Sequence, residues 1–387
     1  HLLYTDFPRS LEFMVSQYLD QKPHKDMIGD DLYQYNALDV MTLHEIYHAQ
    51  LEKMEDIDVQ YMRHYMRLMP ALVEMSRRGI RVNTEEMAQL RSRITEKRDA
   101  AVERLNKVTD RPVKHRSTPD LAKYYYTENK VKPYVDKVTK RPRVDADALS
   151  RIARQGFESA AIIGEIRELD TMITRYLNTE IDSDGRFRYD IKPVGTVTGR
   201  LSTAKTSYGT GANIQNLPGE FGECLIPDPG YVFLEPDLSQ AEKRIVALLI
   251  GDKKDLDAFK EGRDIHAQQA ALIFNKPIEE VTKEERALGK RLNHATSYDI
   301  GPDTFALQAG MSQKRGKEIL EAYHKKHPQL REWFGSINEH LRQNMTLRNL
   351  FGRPRRFLGQ VNKRSAYDYP AQSLVADIIN MAFVWLY

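Results

Sequence analysis

Two groups of side chains in this sequence have the types and spacings for phosphate chemistry. The first is Asp237-Leu-Ser-Gln-Ala-Glu242, which follows the apolar run Tyr231-Val-Phe-Leu234. That run predicts a short buried strand. A carboxylate at the end of a strand is well placed to hold a hard divalent cation. Asp237 also suits a plainer role as a helix N-cap, because Gln240-Ala-Glu-Lys243 reads as a helix start. The second group is Arg286, Lys290, His294 and Tyr298, each four residues apart. On a helix, residues at that interval form a slowly winding stripe, and Thr282 with Glu285 makes a capping box for it. Two cations one turn apart suit a triphosphate, and an imidazole and a phenol beyond them offer a base a stacking surface. The same stripe also reads as a solvated basic face running into core aromatics.

Three weaker signals accompany these. The loop Thr198-Gly-Arg-Leu-Ser202 with Asn213-Ile-Gln-Asn216 collects hydrogen-bonding groups suited to duplex backbone and minor-groove acceptors. Basic clusters at Lys137, Lys140, Arg141 and Arg143, and at Arg353, Arg355, Arg356, Lys363 and Arg364, attract phosphate backbones or simply face solvent. His44-Glu-Ile-Tyr-His48 has the H-E-x-x-H spacing of zinc peptidases. No third-ligand pattern follows it, so an ordinary surface helix is the expected reading.

The elements that must position these residues are mostly helical. At 387 residues, 41% hydrophobic and 29% charged, the chain is long enough for two or three domains with real cores. It carries no membrane-length apolar stretch. One cysteine, Cys224, excludes an intrachain disulfide and fits a reducing compartment. A net charge of +3 decides nothing by itself. Periodicity predicts a helix over 40–69 interrupted or kinked at Pro70, a turn and strand at 77–82, and a long helix from Asn83 to about 106. Irregular chain is expected over 107–145, helix over 146–178, a strand at 186–191 and a loop over 195–218. Helices are expected over 240–249, 264–275, 282–297, 313–325 and 328–343, then a hairpin over 346–357 and a helix over 372–386.

Taken in order, these segments resemble family A DNA polymerases, the DNA polymerase I-like group. Asp237-Leu-Ser-Gln-Ala-Glu242-Lys-Arg244 is similar to the family's first palm motif, and Arg286-x3-Lys290-x7-Tyr298 to its finger-helix motif. Thr198-Gly-Arg-Leu-Ser202 and Asn213-Ile-Gln-Asn-Leu-Pro218 resemble its template–primer loop. Asp264-Ile-His266 resembles a short finger motif, and Arg364 through Gln372 to Ile379 the helix before its catalytic hairpin. Tyr35-x3-Asp39 resembles the last motif of the associated 3′–5′ exonuclease. Six ordered motifs are far more specific than any one of them.

The resemblance implies a helix-rich α+β fold, a right hand with palm, fingers and thumb and a C-terminal remnant of a ribonuclease H-like exonuclease domain. The expected divisions are 1–50 for the remnant, 51–165 for the thumb, 166–249 and 346–387 for the palm, and 250–345 for the fingers. Asp237 would ligate both Mg²⁺ ions of the complete enzyme and Glu242 would exclude a ribose 2′-OH. Arg286, Lys290, Gln240, His266 and His294 would line the nucleotide site, and Tyr298 would border the nascent pair. Arg200 and Gln372 would read the minor groove, and Asn213, Gln215 and Arg364 would contact DNA. Asp39 would be an exonuclease metal ligand and Tyr35 would orient its water. The implied reaction adds deoxynucleoside triphosphates to a primer 3′-OH on primer–template DNA, in the cytoplasm of a bacterium or virus-infected host. No membrane is implied, and the motifs name no processivity factor.

Four residues depart from the family pattern. His294 stands for an aromatic Phe or Tyr, Asp299 for Gly, and Asp368 for Asn, while Pro236 precedes the metal aspartate. The His-Asp-Glu hairpin with the second palm carboxylate is expected beyond Tyr387, and the earlier exonuclease motifs before His1. The start at His-Leu-Leu-Tyr-Thr fits a fragment, expected to polymerise weakly or not at all. A single-subunit RNA polymerase, a non-catalytic nucleic-acid-binding module and, last, a zinc peptidase are the alternatives.

Overall fold

Side-chain caps start most of the helices. Ser10, Asp31, Asn83, Ser117, Asp145, Asp252, Asp264, Thr282, Ser312 and Asn362 each accept from a backbone N–H in the first turn that follows. They satisfy donors that the helix itself cannot reach. The computed structural model describes residues 2–4, 6–21, 24–25, 31–136 and 138–387; Lys137 of the first basic cluster lies outside them. In chain order, α1 is Leu11–Tyr18, α2 Leu32–Leu51, α3 Asp56–Arg78, α4 Thr84–Val108, α5 Thr118–Ala122, α6 Ala146–Ala153, α7 Glu158–Met172 and α8 Gly219–Gly222. Then come α9 Ala241–Ile250, α10 Lys253–Lys260, α11 Ile265–Phe274, α12 Lys283–Thr296, α13 Pro302–Ala309, α14 Gln313–Lys326, α15 Pro328–Asn344 and α16 Lys363–Leu386. The strands are β1 Ile80–Val82, β2 Arg186–Phe187, β3 Asp190–Lys192, β4 Ser202–Ala204, β5 Leu225–Ile226, β6 Thr346–Arg348 and β7 Pro354–Arg356. They form three small sheets, ordered β2-β1-β5, β3-β4 and β6-β7.

The chain divides into two compact units. His1–Leu72, Pro193–Ser202 and Glu235–Tyr387 make one, and Val73–Lys192 with Thr203–Leu234 the other. In the second unit, α4 presents Leu90, Ile94, Ala101 and Leu105 on one buried stripe. The stripe serves two apolar clusters: one includes Ile162, Ile163 and Ile166 of α7, the other Met172, Tyr176, Phe187 and Phe221. Gly211 has φ +69, and a Cβ there would stand 1.7 Å from the Arg188 carbonyl oxygen, so only glycine fits.

The first unit is built round one large core. Ile245 and Val246 of α9, Leu288 and Leu292 of α12, Tyr323 of α14, Phe334 and Ile337 of α15 and Tyr369 and Leu374 of α16 belong to it. The β6–β7 hairpin pairs Thr346 with Arg356 and Arg348 with Pro354. Its turn places Arg353 in the interior at 1% exposure, where the guanidinium bonds the Tyr65 hydroxyl and lies 3.1 Å from Asp377 of α16. Asp377 also accepts from Asn349 at 2.6 Å and from the Tyr61 hydroxyl.

Several sequence expectations change. The 40–69 helix is two, α2 and α3, and Pro70 lies inside α3 without interrupting it. Burial of Leu68, Ala71 and Leu72 around the proline opposes its cost of about 3 kcal/mol. The 107–145 stretch contains α5 and a π-helical turn at Lys123–Glu128, while α10 and α13 are additional helices. The 186–191 strand splits into β2 and β3, the 146–178 helix breaks after Ala153, and α16 starts nine residues before 372. Tyr231–Leu234 forms no strand, and all four side chains are exposed. No described segment pairs with them, and a strand without a ladder partner leaves its backbone to water. Asp237 is not a cap either: Gln240 holds that position before α9.

Replacing Arg353 with Met keeps the bulk and leaves Asp377 buried without its cation. The expected loss is about 3–5 kcal/mol, read from the urea-unfolding midpoint. A loss below about 1 kcal/mol would show that the pair is not what holds the hairpin to α16.

Candidate active site

A cleft of about 920 Å³ in the first unit is lined by Arg200, Asp237, Gln240, Glu242, His266, Arg286, Lys290, His294 and Tyr298. These residues come from the 193–202 loop, the approach to α9 and its first turn, the start of α11, one face of α12 and the turn that follows it. The apolar far wall is Val375, Ile378, Ile379, Ala382 and Phe383 of α16. Gln240 adopts left-handed backbone, φ +54, in the turn after which α9 starts at Ala241. Asp237 precedes this corner. It is exposed, and among the described residues no side chain pairs with it. A free carboxylate facing cations is an oxygen donor of the kind Mg²⁺ takes together with substrate phosphates. Asp237 therefore fits a Mg²⁺ ligand, and Glu242 is the only other carboxylate lining the cleft among the described residues.

α12 brings the cations. It packs on α11 so closely that a Cβ on Gly289 would lie 2.2 Å from the His266 carbonyl oxygen. Its outer face carries Arg286, Lys290 and His294. Arg286 donates to Asp264, the cap of α11, at 2.5 Å. Burial pushes the Asp264 carboxyl up, but Arg286 and the backbone donors of the cap outweigh it and hold it low. His266 is kept neutral by burial. The Asn293 amide nitrogen donates to the Ile265 carbonyl at 3.4 Å and faces His266 Nδ1 at 3.2 Å, so Nδ1 accepts and Nε2 carries the proton. The cleft thus presents a neutral N–H donor beside the exposed ammonium of Lys290.

Glu242 is the most engaged group. Arg200 and the Tyr298 hydroxyl both donate to it, and His294 Nδ1 lies 3.6 Å away. Burial and then Glu242 push the Tyr298 phenol far up, so it stays protonated and donates. His294 meets Tyr298 edge to face at 4.9 Å. α12 ends before Tyr298: Ile300 N–H reaches the Ala295 carbonyl and Asp299 N–H that of Thr296, a Schellman-type close. Asp299 has φ +51, the conformation a glycine adopts without strain. Asp368 is half-buried behind this group. Burial, then the Glu242 charge, pushes its carboxyl up to about 6, and its Oδ1 finds no hydrogen-bond partner among the described residues.

Lys243, which the sequence reading did not single out, anchors α9 from behind. Its ammonium lies 2.8 Å from Asp255 of α10 and donates to the Tyr323 hydroxyl of α14 at 3.1 Å. Next to it, His327 Nδ1 contacts Asp252 at 2.7 Å. Among the described residues, Asp252, Asp255 and His327 alone bring three ligating atoms within 4.8 Å of one another. The Lys243 charge already serves that cluster. The only sequence signal for it was a lysine among the apolar positions of α9.

Other expected site residues lie elsewhere. Arg364 is exposed at the start of α16 and Gln372 lies against the Tyr298 hydroxyl; neither lines the cleft. Asn213 and Gln215 belong to the second unit, where the Asn213 carboxamide oxygen accepts from Thr203 Oγ1 and the Gln215 N–H. Tyr35 and Asp39 line a separate cavity of about 130 Å³ with His24, whose Nε2 is 2.8 Å from Asp39. Arg353, Arg355 and Arg356 do not form a solvent-facing basic cluster: the first two are buried, and Arg356 pairs with Asp58 at 2.6 Å.

Known proteins share this chain's sequence pattern and fold. The family model described as DNA polymerase family A matches residues 84–387. DNA polymerase I of Caldicellulosiruptor bescii is 27% identical over 339 residues, covering 83% of this chain and 39% of its own length. DNA polymerase I of Aquifex aeolicus is 30% identical over 251 residues, covering 63% of this chain and 42% of the relative. The thermostable DNA polymerase I of Thermus aquaticus is 24% identical over 340 residues, covering 83% and 40%. The chain thus spans about two-fifths of the length of these curated relatives. The polymerase domain of Pol1 from M. smegmatis, solved in complex with DNA primer-template and dNTP, has the same fold: the TM-score is 0.83 at 23% identity, covering 99% of this chain and 69% of that one.

Asp368 supplies a test of the cleft's electrostatics. Its folded pKa lies above the ordinary carboxylate value near 3.9, so the folded state holds its proton longer. Its contribution favours the fold below about pH 4 and is lost as pH rises to about 6. Asp368→Asn is expected to remove that decline and to raise stability at pH 8 by on the order of 2 kcal/mol. Denaturant titrations from pH 4 to 8 that run parallel for parent and variant would contradict it.

Proposed function

The chain belongs to DNA polymerase family A, and on that premise we propose that its cleft is the nucleotide side of a template-directed DNA polymerase active site. The observation that carries this reading is the meeting, in one cleft, of a free carboxylate at Asp237 with the cationic face of α12. In the reaction, the primer 3′-oxygen attacks the α-phosphorus of a deoxynucleoside triphosphate, and the bond to pyrophosphate breaks. Lys290 and Arg286 bind the triphosphate through charge-assisted hydrogen bonds, and His266 adds its Nε2–H. Asp237 would hold Mg²⁺, which two-metal transfer uses as a pair and which would offset phosphate charge and lower the pKa of the primer hydroxyl. Glu242, fixed by Arg200 and Tyr298, closes the side where a ribose 2′-OH would enter. Gln240 and His294 complete the nucleotide wall, and Tyr298 borders the nascent pair.

Arg200 and Gln372 read minor-groove acceptors, while Asn213, Gln215 and Arg364 contact the primer–template. The divisions proposed for the hand are thumb 51–165, palm 166–249 and 346–387, and fingers 250–345. Residues 1–50 are the exonuclease remnant, with Asp39 and Tyr35 its last motif. Among the described residues no helix is long and apolar enough to cross a membrane.

Two measurements test this. Lys290→Ala is expected to weaken deoxynucleoside triphosphate binding at least tenfold, since a charged hydrogen bond contributes about 1.5–3 kcal/mol. Asp237→Asn should abolish the Mg²⁺ enhancement of that binding and spare the Mg²⁺-independent part. Parent-like isotherms for both variants would overturn the nucleotide reading. Separately, the cleft offers only one uncommitted carboxylate among the described residues where two-metal transfer uses a pair. The purified chain is therefore expected to extend a primer little or not at all, and robust extension would refute the claim.

A further inference from the structure

The segment His44-Glu-Ile-Tyr-His48 has no part in the proposed polymerase chemistry. On α2 the two histidines are one turn apart and both are exposed. Their Nε2 atoms face each other at 3.3 Å, and the rings stand 4.5 Å apart at 63°. Two imidazole nitrogens bound to one ion at about 2.05 Å, with a tetrahedral angle between them, are separated by about 3.3 Å. We propose that His44 and His48 form a bidentate chelate for a borderline divalent transition cation such as Zn²⁺, Ni²⁺ or Cu²⁺. The inference is independent of the nucleotide site.

The geometry is close to preorganised. The helix backbone already sets the nitrogen spacing, so binding exchanges a contact between the two rings for two bonds to one ion. Both rings must then be neutral with their protons on Nδ1, which turns both Nε2 lone pairs inward. Exposure leaves the remaining coordination positions to water and spares the ion most of the cost of desolvation. Imidazole nitrogen selects this class of cation, while Mg²⁺ prefers oxygen and would not compete. Glu45 is not a third ligand or a base: it points round the helix from the pair and accepts from Gln21 at 2.6 Å. The spacing of a zinc peptidase is thus kept without the peptidase's carboxylate.

The test is calorimetric titration of the untagged chain with Zn²⁺ in a weakly coordinating buffer containing excess Mg²⁺. One Zn²⁺ per chain is expected, with affinity reduced at least tenfold in His44→Ala and equally in His48→Ala. Both side chains are exposed, so neither variant should change the thermal midpoint without metal. With Cu²⁺ in place of Zn²⁺, the paramagnetic resonance spectrum should show coupling to two nitrogens. Three results would overturn the proposal: unchanged binding in both variants, loss in only one of them, or loss in His327→Ala instead. The last would place the ion at the Asp252–Asp255–His327 cluster.

Discussion

The buried ion pair between Arg353 and Asp377 is the constraint on which much of the first unit depends. Both groups are 1% exposed, and neither charge could stay in the interior without the other. Satisfying them ties four segments together. Arg353 comes from the hairpin turn, Asp377 from α16, and Tyr61 and Tyr65 from α3. The fourth is the 193–202 loop: Gly199 has φ +82, and a Cβ there would lie 2.3 Å from the Arg353 guanidinium. Asn380, one turn beyond Asp377, donates to the Gly199 carbonyl at 3.3 Å. Arg200 is the next residue and reaches Glu242. A charge pair at the back of the unit is therefore connected, through one glycine, to the cation at the mouth of the cleft.

The cleft itself is a set of unequal commitments. Arg200, Tyr298 and His294 converge on Glu242, and Arg286 is engaged by Asp264. Asp237 and Lys290 have no such partners among the described residues. An incoming anion and its cation would meet these two at low cost, whereas using Arg286 means competing with a carboxylate for the same guanidinium. The departures from the family pattern follow the same logic. Asp368 adds a carboxylate beside Glu242 and takes its proton up to about 6. Asp299 accepts a left-handed backbone that glycine would adopt freely. Outside those departures, Lys243 places a charge inside the core, and Asp255 and Tyr323 answer it.

Local chemistry made a large part of this legible from residue types. Caps at Asn83, Asp264 and Thr282 depend only on neighbours within one turn, so α4, α11 and α12 were readable, as was the hairpin over 346–357. The stripe of Arg286, Lys290 and His294 needed nothing beyond helical period. Expectations failed where partners distant in sequence decide. Tyr231–Leu234 has strand composition, but a strand exists only with a neighbour to pair with. Of the interruption or kink expected at Pro70, the interruption is absent, because packing of the flanking residues carries α3 through it.

The sequence by itself determined the family, the order of the motifs and the chemical character of the site, because these reside in residue types at fixed local spacings. Tertiary structure alone decided which of those residues meet. It took Asn213 and Gln215 into the second unit, turned Arg353 from a candidate DNA contact into a buried structural cation, and gathered Arg200, Glu242 and Tyr298 into one hydrogen-bonded group. The physical reason is that burial and ion pairing depend on distance in space, and residues 42 and 56 positions apart in the chain have no local signal that they will share a proton or a charge.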